Sequence, residues 1–227
     1  MDISMSYDKW HQQVVKRVGP VSEFQLYVRT LILGLVLFAL SYWYITWLKI
    51  PNPLNKAVAD TSIILISLSM LLSSLCYFWN FVDTKIVYRK QLGLIGLAFG
   101  LVHVGLSFSA VQKLFTLATW QQGTMWPALT GVLALVIFSC MAFVSNQYAA
   151  NVLGGKAWRK ILRTGYIAVL LIFAHVYLLK SVYIIRWYTG GMKTPPSTSL
   201  LVLAFMTIVI VMRIALWWSL KTKSARS

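Results

Sequence analysis

Acid is scarce in this chain. Asp and Glu number 5 among 227 residues, against 21 Lys and Arg, and all charged residues together make up 11%. A soluble domain carries about a quarter, so the polar surface of such a domain is missing. Cysteine is almost absent. Cys76 and Cys140 both sit inside apolar segments and read as small core residues, not as a disulfide or a metal site. No Gly-x-Gly-x-x-Gly phosphate motif occurs, and there is no room for a nicotinamide-binding domain. The longest stretch outside the apolar runs, Met1 to about Leu26, is too short for an independent domain. A secretory signal is not expected, because Asp2, Asp8, Lys9, His11, Lys16 and Arg17 precede any apolar run. His11, in that polar segment, reads as a solvated surface histidine.

What is abundant is hydrophobic length. The chain is 59% hydrophobic, and several runs reach the roughly 20 residues that cross a bilayer core. In that solvent each span must close its own backbone hydrogen bonds. The expected fold is therefore an all-α polytopic membrane protein, a six-helix bundle forming one transmembrane domain over residues 1–227. The spans fall at about 30–48, 61–82, 92–110, 127–145, 164–185 and 199–219. Pro127 suits a helix start, and "GGMKTPPSTS" breaks the chain before the last span.

A formal charge of +16 invites a nucleic-acid reading, but its distribution argues for membrane topology instead. Fourteen basic residues (Lys9, Lys16, Arg17, Arg29, Lys85, Arg89, Lys90, Lys156, Arg159, Lys160, Arg163, Lys221, Lys223 and Arg226) collect on one side of the six spans. Five (Lys49, Lys56, Lys113, Arg186 and Lys193) collect on the other. Lys180 and Arg213 fall within spans. The positive-inside rule then places both termini in the cytoplasm.

Two spans each contain one histidine. His103 lies in "LGLIGLAFGLVHVG", 13 residues after Lys90, and His175 lies in "GYIAVLLIFAHVYLL", 12 residues after Arg163. Both spans run outward, so both imidazoles sit about 18–20 Å above the cytoplasmic edge. Ionisable groups inside spans are usually functional. Gly96, Gly100 and His103 share one helix face, and Ala168, Ile172 and His175 share another. Faces without bulk suit a flat macrocycle whose metal is held by both histidines. They equally suit a small-residue helix contact with hydrogen-bonded histidines beside it. Zinc is disfavoured, since it takes four ligands and no Cys, Asp or Glu is expected at that depth.

"YRKQLGLIGLAFGLVHV" resembles the third span of the ferric-reductase-like transmembrane domain, with Arg89, Lys90, Leu92, Gly93 and His103 on the pattern. "PALTGVLALVIFSCMAFVSNQYAANVLGGKAWRKILRTGYIAVLLIFAH" resembles its fourth and fifth spans, matching at Ser145, Leu153, Gly154, Trp158, Arg163, Tyr166 and His175. The resemblance covers about residues 60–186. Within that superfamily it is nearest to the haem-binding membrane subunit of the bacterial periplasmic methionine sulfoxide reductase system. It implies one b-type haem held by His103 and His175. The family's inner ligand positions are Leu162 and Arg89 here, so a second haem is not expected. One outer haem is the pattern of the superfamily's single-haem metalloreductases.

The resemblance also implies transmembrane electron transfer in a bacterial inner membrane. The donor would be a cytoplasmic flavin reductase, a bound FMN or FAD, or a membrane quinol. The acceptor would be a periplasmic enzyme or a metal ion. A flavin would contact Arg89, Trp158 and Arg163, whose plainer reading is topology charge and an interfacial Trp. Lys180, five residues past His175, would pair with a haem propionate or snorkel to the headgroups. Arg213 is expected to snorkel or pair within the bundle, and Trp120, Trp126 and Trp187 to form an aromatic belt. The competing function is a haem-free membrane scaffold or adaptor with packed histidines.

Overall fold

The computed structural model describes residues 22–108, 116, 118 and 125–224. Asp2, Asp8, Lys9, His11, Lys16, Arg17, Lys113, Trp120, Arg226 and the expected end of the third span at 109–110 lie outside the described residues. Within them the fold is all helix, with no strand. The helices are α1 (Glu23–Trp47), α2 (Pro53–Phe78), α3 (Arg89–Leu106), α4 (Met125–Val144), α5 (Gln147–Arg163), α6 (Gly165–Thr189) and α7 (Thr198–Ser224), and a 3-10 helix (Asn80–Tyr88) joins α2 to α3.

Six of these helices correspond to the expected spans, with two informative shifts. α1 begins at Glu23 because the Ser22 hydroxyl accepts from the Gln25 amide at 3.2 Å, and Glu23 sits where the helix dipole favours an acid. α2 begins at Pro53, eight residues before the expected 61, because proline is pre-organised for the first helical position. That early start puts Asn55, Lys56 and Asp60 on a helix.

α1, α2, α4, α7 and the continuous α5–α6 segment are long and apolar enough to cross a membrane. α2 is the central helix. It buries 61% of its most apolar stretch, whereas the other four bury 11–28%. Enclosure by protein explains why α2 carries buried Thr61, Ser62, Ser67, Ser69 and Ser74: buried hydroxyls need local partners. Thr61 donates to the Ala57 carbonyl at 2.8 Å, Ser62 to the Gly96 carbonyl at 2.7 Å and Ser69 to the Arg89 carbonyl at 2.7 Å. The outer helices leave large apolar side chains such as Leu35, Val136 and Ile214 exposed, as a membrane protein's lipid-facing surface does. Cys76 is buried, but Cys140 is exposed. The expectation of two core cysteines is thus corrected for Cys140, whose apolar surroundings in sequence are a lipid-facing helix.

Side-chain bonds fix which helix ends lie together. At one end Lys90 pairs with Glu23 at 2.5 Å and the Tyr77 and Ser219 hydroxyls meet at 3.0 Å. At the other end Tyr44 donates to the Pro196 carbonyl at 2.8 Å and Asn55 to Ser107 at 2.9 Å. The first end, which also receives α5, holds most of the basic residues.

α5 was not expected from the sequence. α4 and α6 pack closely, so the chain leaving α4 at Val144 must return beside it at Gly165. A straight 17-residue helix would carry it about 25 Å away, whereas packed axes lie about 8–10 Å apart. Gly154 resolves the conflict. Its φ of 73° and ψ of 146° break the helix into two arms, and the returning arm is pinned where Trp158 Nε1 donates to the Val144 carbonyl at 2.8 Å. This backbone region is open essentially to glycine alone. Gly154→Ala should therefore cost about 1–3 kcal/mol, read as a lowered thermal midpoint in detergent. Nothing lies within 4 Å of the added Cβ, so the loss is conformational. An unchanged midpoint would show that the turn is not needed.

Candidate functional site

His103 and His175 are both half-buried at the Tyr44–Pro196 end of the bundle. His103 Nδ1 lies 2.6 Å from Asn55 Oδ1. The Asn55 amide nitrogen donates to Ser107, so its oxygen is the acceptor and His103 Nδ1 carries the proton. His175 Nδ1 lies 2.5 Å from the Pro127 carbonyl, which also accepts from Thr130 Oγ1 at 2.7 Å. A carbonyl cannot donate, so His175 Nδ1 is protonated as well. In its neutral form each ring would present an unprotonated Nε2, the tautomer that a metal-ligating histidine adopts when its other nitrogen donates to an oxygen.

Their partners also set the level of the rings. Asn55 is in the first turn of α2 and Pro127 in the first turn of α4, and the two turns lie at the same end. The helices that carry the imidazoles, α3 and α6, do not pack extensively on one another; α4 packs closely on α6 and touches α3.

Gly131 of α4 is what admits the His175 ring. A Cβ at this position would lie 2.8 Å from Nδ1 and 3.0 Å from Cε1, inside van der Waals contact. Gly96 and Gly100 have another role than the open face expected of them. A Cβ on Gly96 would meet Ile66 Cγ1 at 2.8 Å and the Ile66 amide nitrogen at 3.1 Å, and one on Gly100 would meet Ser62 Oγ at 3.0 Å. The face expected to leave room for a macrocycle is filled by α2, as a small-residue helix contact. Ala168, on the corresponding face of α6, is fully buried in the core.

Asp60 is the residue the sequence reading missed. Placing the second span at 61 left it in a loop, and the signal that could have found it is Pro53 at a helix start. It is 7% exposed and accepts from Ser41 Oγ at 3.0 Å. The Thr198 hydroxyl also binds it, and Lys56 and Lys180 lie within electrostatic reach. Lys180 is half-buried, its Nζ 5.7 Å from the centroid of Tyr183. Among the described residues no group of three or more His, Cys, Asp or Glu could hold a metal ion.

At the opposite end the three expected flavin contacts have different settings. Arg89 is half-buried at the start of α3 against α2. Trp158 and Arg163 belong to α5, which packs on α4 and α6. Arg163 is exposed, Leu162 is half-buried, and the Trp158 indole N–H is committed to Val144. Arg213 pairs within the bundle, its guanidinium 4.1 Å from the ring centroid of Tyr166. Trp126 is exposed, and Trp187 donates to the Thr194 carbonyl at 2.7 Å.

Compared with known proteins, the sequence matches no family model and no curated protein.

Proposed function

We propose that this chain is the haem b subunit of a membrane oxidoreductase, moving electrons from an inner-side donor to an outer-side acceptor. The single observation that carries the reading is the pair of half-buried imidazoles at one end of the bundle, on separate helices, each with Nδ1 held by an oxygen acceptor. That donor set fits a b-type haem, which would supply one-electron transfer. His103 and His175 would hold it, with Asn55 and Pro127 fixing their tautomers. Lys180, five residues past His175, would pair with a propionate. The motif resemblance to the ferric-reductase-like domain supports the same ligand pair.

In this reading the protein resides in a bacterial inner membrane, with the basic end of the bundle and both termini in the cytoplasm. Leu162 and Arg89 at the inner ligand positions leave one haem per chain. The donor is a flavin, bound as FMN or FAD near Arg89, Trp158 and Arg163 or carried by a cytoplasmic reductase, or it is a membrane quinol. The acceptor is a periplasmic enzyme such as a methionine sulfoxide reductase, or a metal ion. Two observations favour the alternative, a haem-free scaffold: each imidazole already has a protein hydrogen bond, and α2 fills the glycine face.

Electron transfer is tested in right-side-out vesicles. Haem reduced from within should be reoxidised by external ferricyanide, which does not cross the bilayer. A cysteine introduced at Lys56 should be labelled from the same side. Reoxidation only after permeabilisation would reverse the proposed direction, and the absence of any haem spectrum would favour the scaffold.

A further inference from the structure

We propose that the α5 hairpin is a docking surface for anionic lipid headgroups, formed by the basic stripe Lys156, Arg159, Lys160 and Arg163 on its returning arm. These four residues sit at i, i+3, i+4 and i+7, which gathers them on one face of the helix. All four are exposed. The opposite face, Trp158, Ile161 and Leu162, is half-buried. No acidic residue occurs anywhere between 147 and 163, so the stripe has no internal counter-charge.

Two further observations favour lipid over an acidic protein as the occupant. The other arm of the hairpin presents apolar side chains that are exposed among the described residues: Tyr148 is 79% exposed and Val152 66%. They continue from Phe143, 82% exposed at the end of α4, and so prolong that helix's lipid-facing surface. Second, α5 is tied at both ends, within three residues, to apolar helices that pack together, which holds it where those helices leave the membrane. An amphipathic segment rich in Lys and Arg at that level attracts anionic headgroups, and guanidinium groups bind phosphate oxygens through paired hydrogen bonds. The inference rests on the membrane placement and not on the haem.

The test uses the full chain reconstituted in phosphatidylcholine vesicles with trace spin-labelled phosphatidylglycerol or phosphatidylcholine. The wild-type protein should immobilise the phosphatidylglycerol probe with a several-fold preference. K156Q/R159Q/K160Q should bring that preference close to one, and the charge-keeping K156R/R159K/K160R should retain it, which separates charge from folding. A polarity-sensitive dye on Val152→Cys, in a chain carrying Cys76→Ala and Cys140→Ala, should report an apolar environment. Equal immobilisation of the two probes by the wild-type chain, or an undiminished preference in the triple Gln variant, would overturn the proposal. A water-exposed dye together with salt-sensitive binding of an acidic soluble protein would assign the face to a protein partner instead.

Discussion

Replacing either His103 or His175 by Ala is expected to abolish the low-spin haem spectrum of the purified chain. Each substitution removes one of the two imidazoles that would hold the iron, and among the described residues these are the only histidines. The single variants should bind haem weakly and with altered spin state, and the double variant should retain none. His103→Ala also leaves Asn55 Oδ1 without its donor, at a cost of about 1–3 kcal/mol, whereas the Pro127 carbonyl keeps Thr130 Oγ1 in His175→Ala. Folding must therefore be checked by gel filtration beside the spectrum. A normal low-spin spectrum in the double variant would mean that the ligands are elsewhere.

The second large effect is expected at a residue that would touch no haem. In Gly131→Ala the new Cβ would stand 2.8 Å from His175 Nδ1. The ring must move, and its bond to the Pro127 carbonyl must lengthen or break. Disturbing the partner that orients a metal-ligating histidine typically costs about 10–100-fold in metal affinity, so haem retention in detergent should fall by that order. Gly105→Ala is the control, because nothing lies within 4 Å of a Cβ there. Equal haem retention in Gly131→Ala and the wild type would show that the ring position is not what holds the cofactor.

These residues mark where the sequence was legible. Hydrophobic length disclosed the five long apolar helical segments, because a bilayer-sized apolar run has few alternative structures. The similar spacing of His103 and His175 from their basic flanks, 13 and 12 residues, pointed to one end of the bundle for both, because helical rise converts residue number into height. Periodicity groups residues on a face but does not say what the face meets. Gly96 and Gly100 therefore looked like space for a ligand, yet they are the contact that lets α2 approach α3. Asn55 and Asp60 were hidden by polarity: a helix enclosed by protein on most sides can carry Asn, Asp, Ser and Thr, and a hydropathy reading clips it short. α5 was hidden for the opposite reason. Its low apolar content reads as a loop, and its two arms exist only because α4 and α6 pack together and Gly154 turns the chain between them. Gly131 carries no signal of its own, since its role depends on a ring 44 residues away in sequence.

The most direct measurement is the haem content of the purified wild-type chain, as pyridine haemochrome per polypeptide, with the reduced-minus-oxidised spectrum of the same sample. The account predicts one b-type haem per chain, low-spin in both oxidation states. A protein that is folded and monodisperse but has no haem, or one carrying two haems per chain, would contradict it.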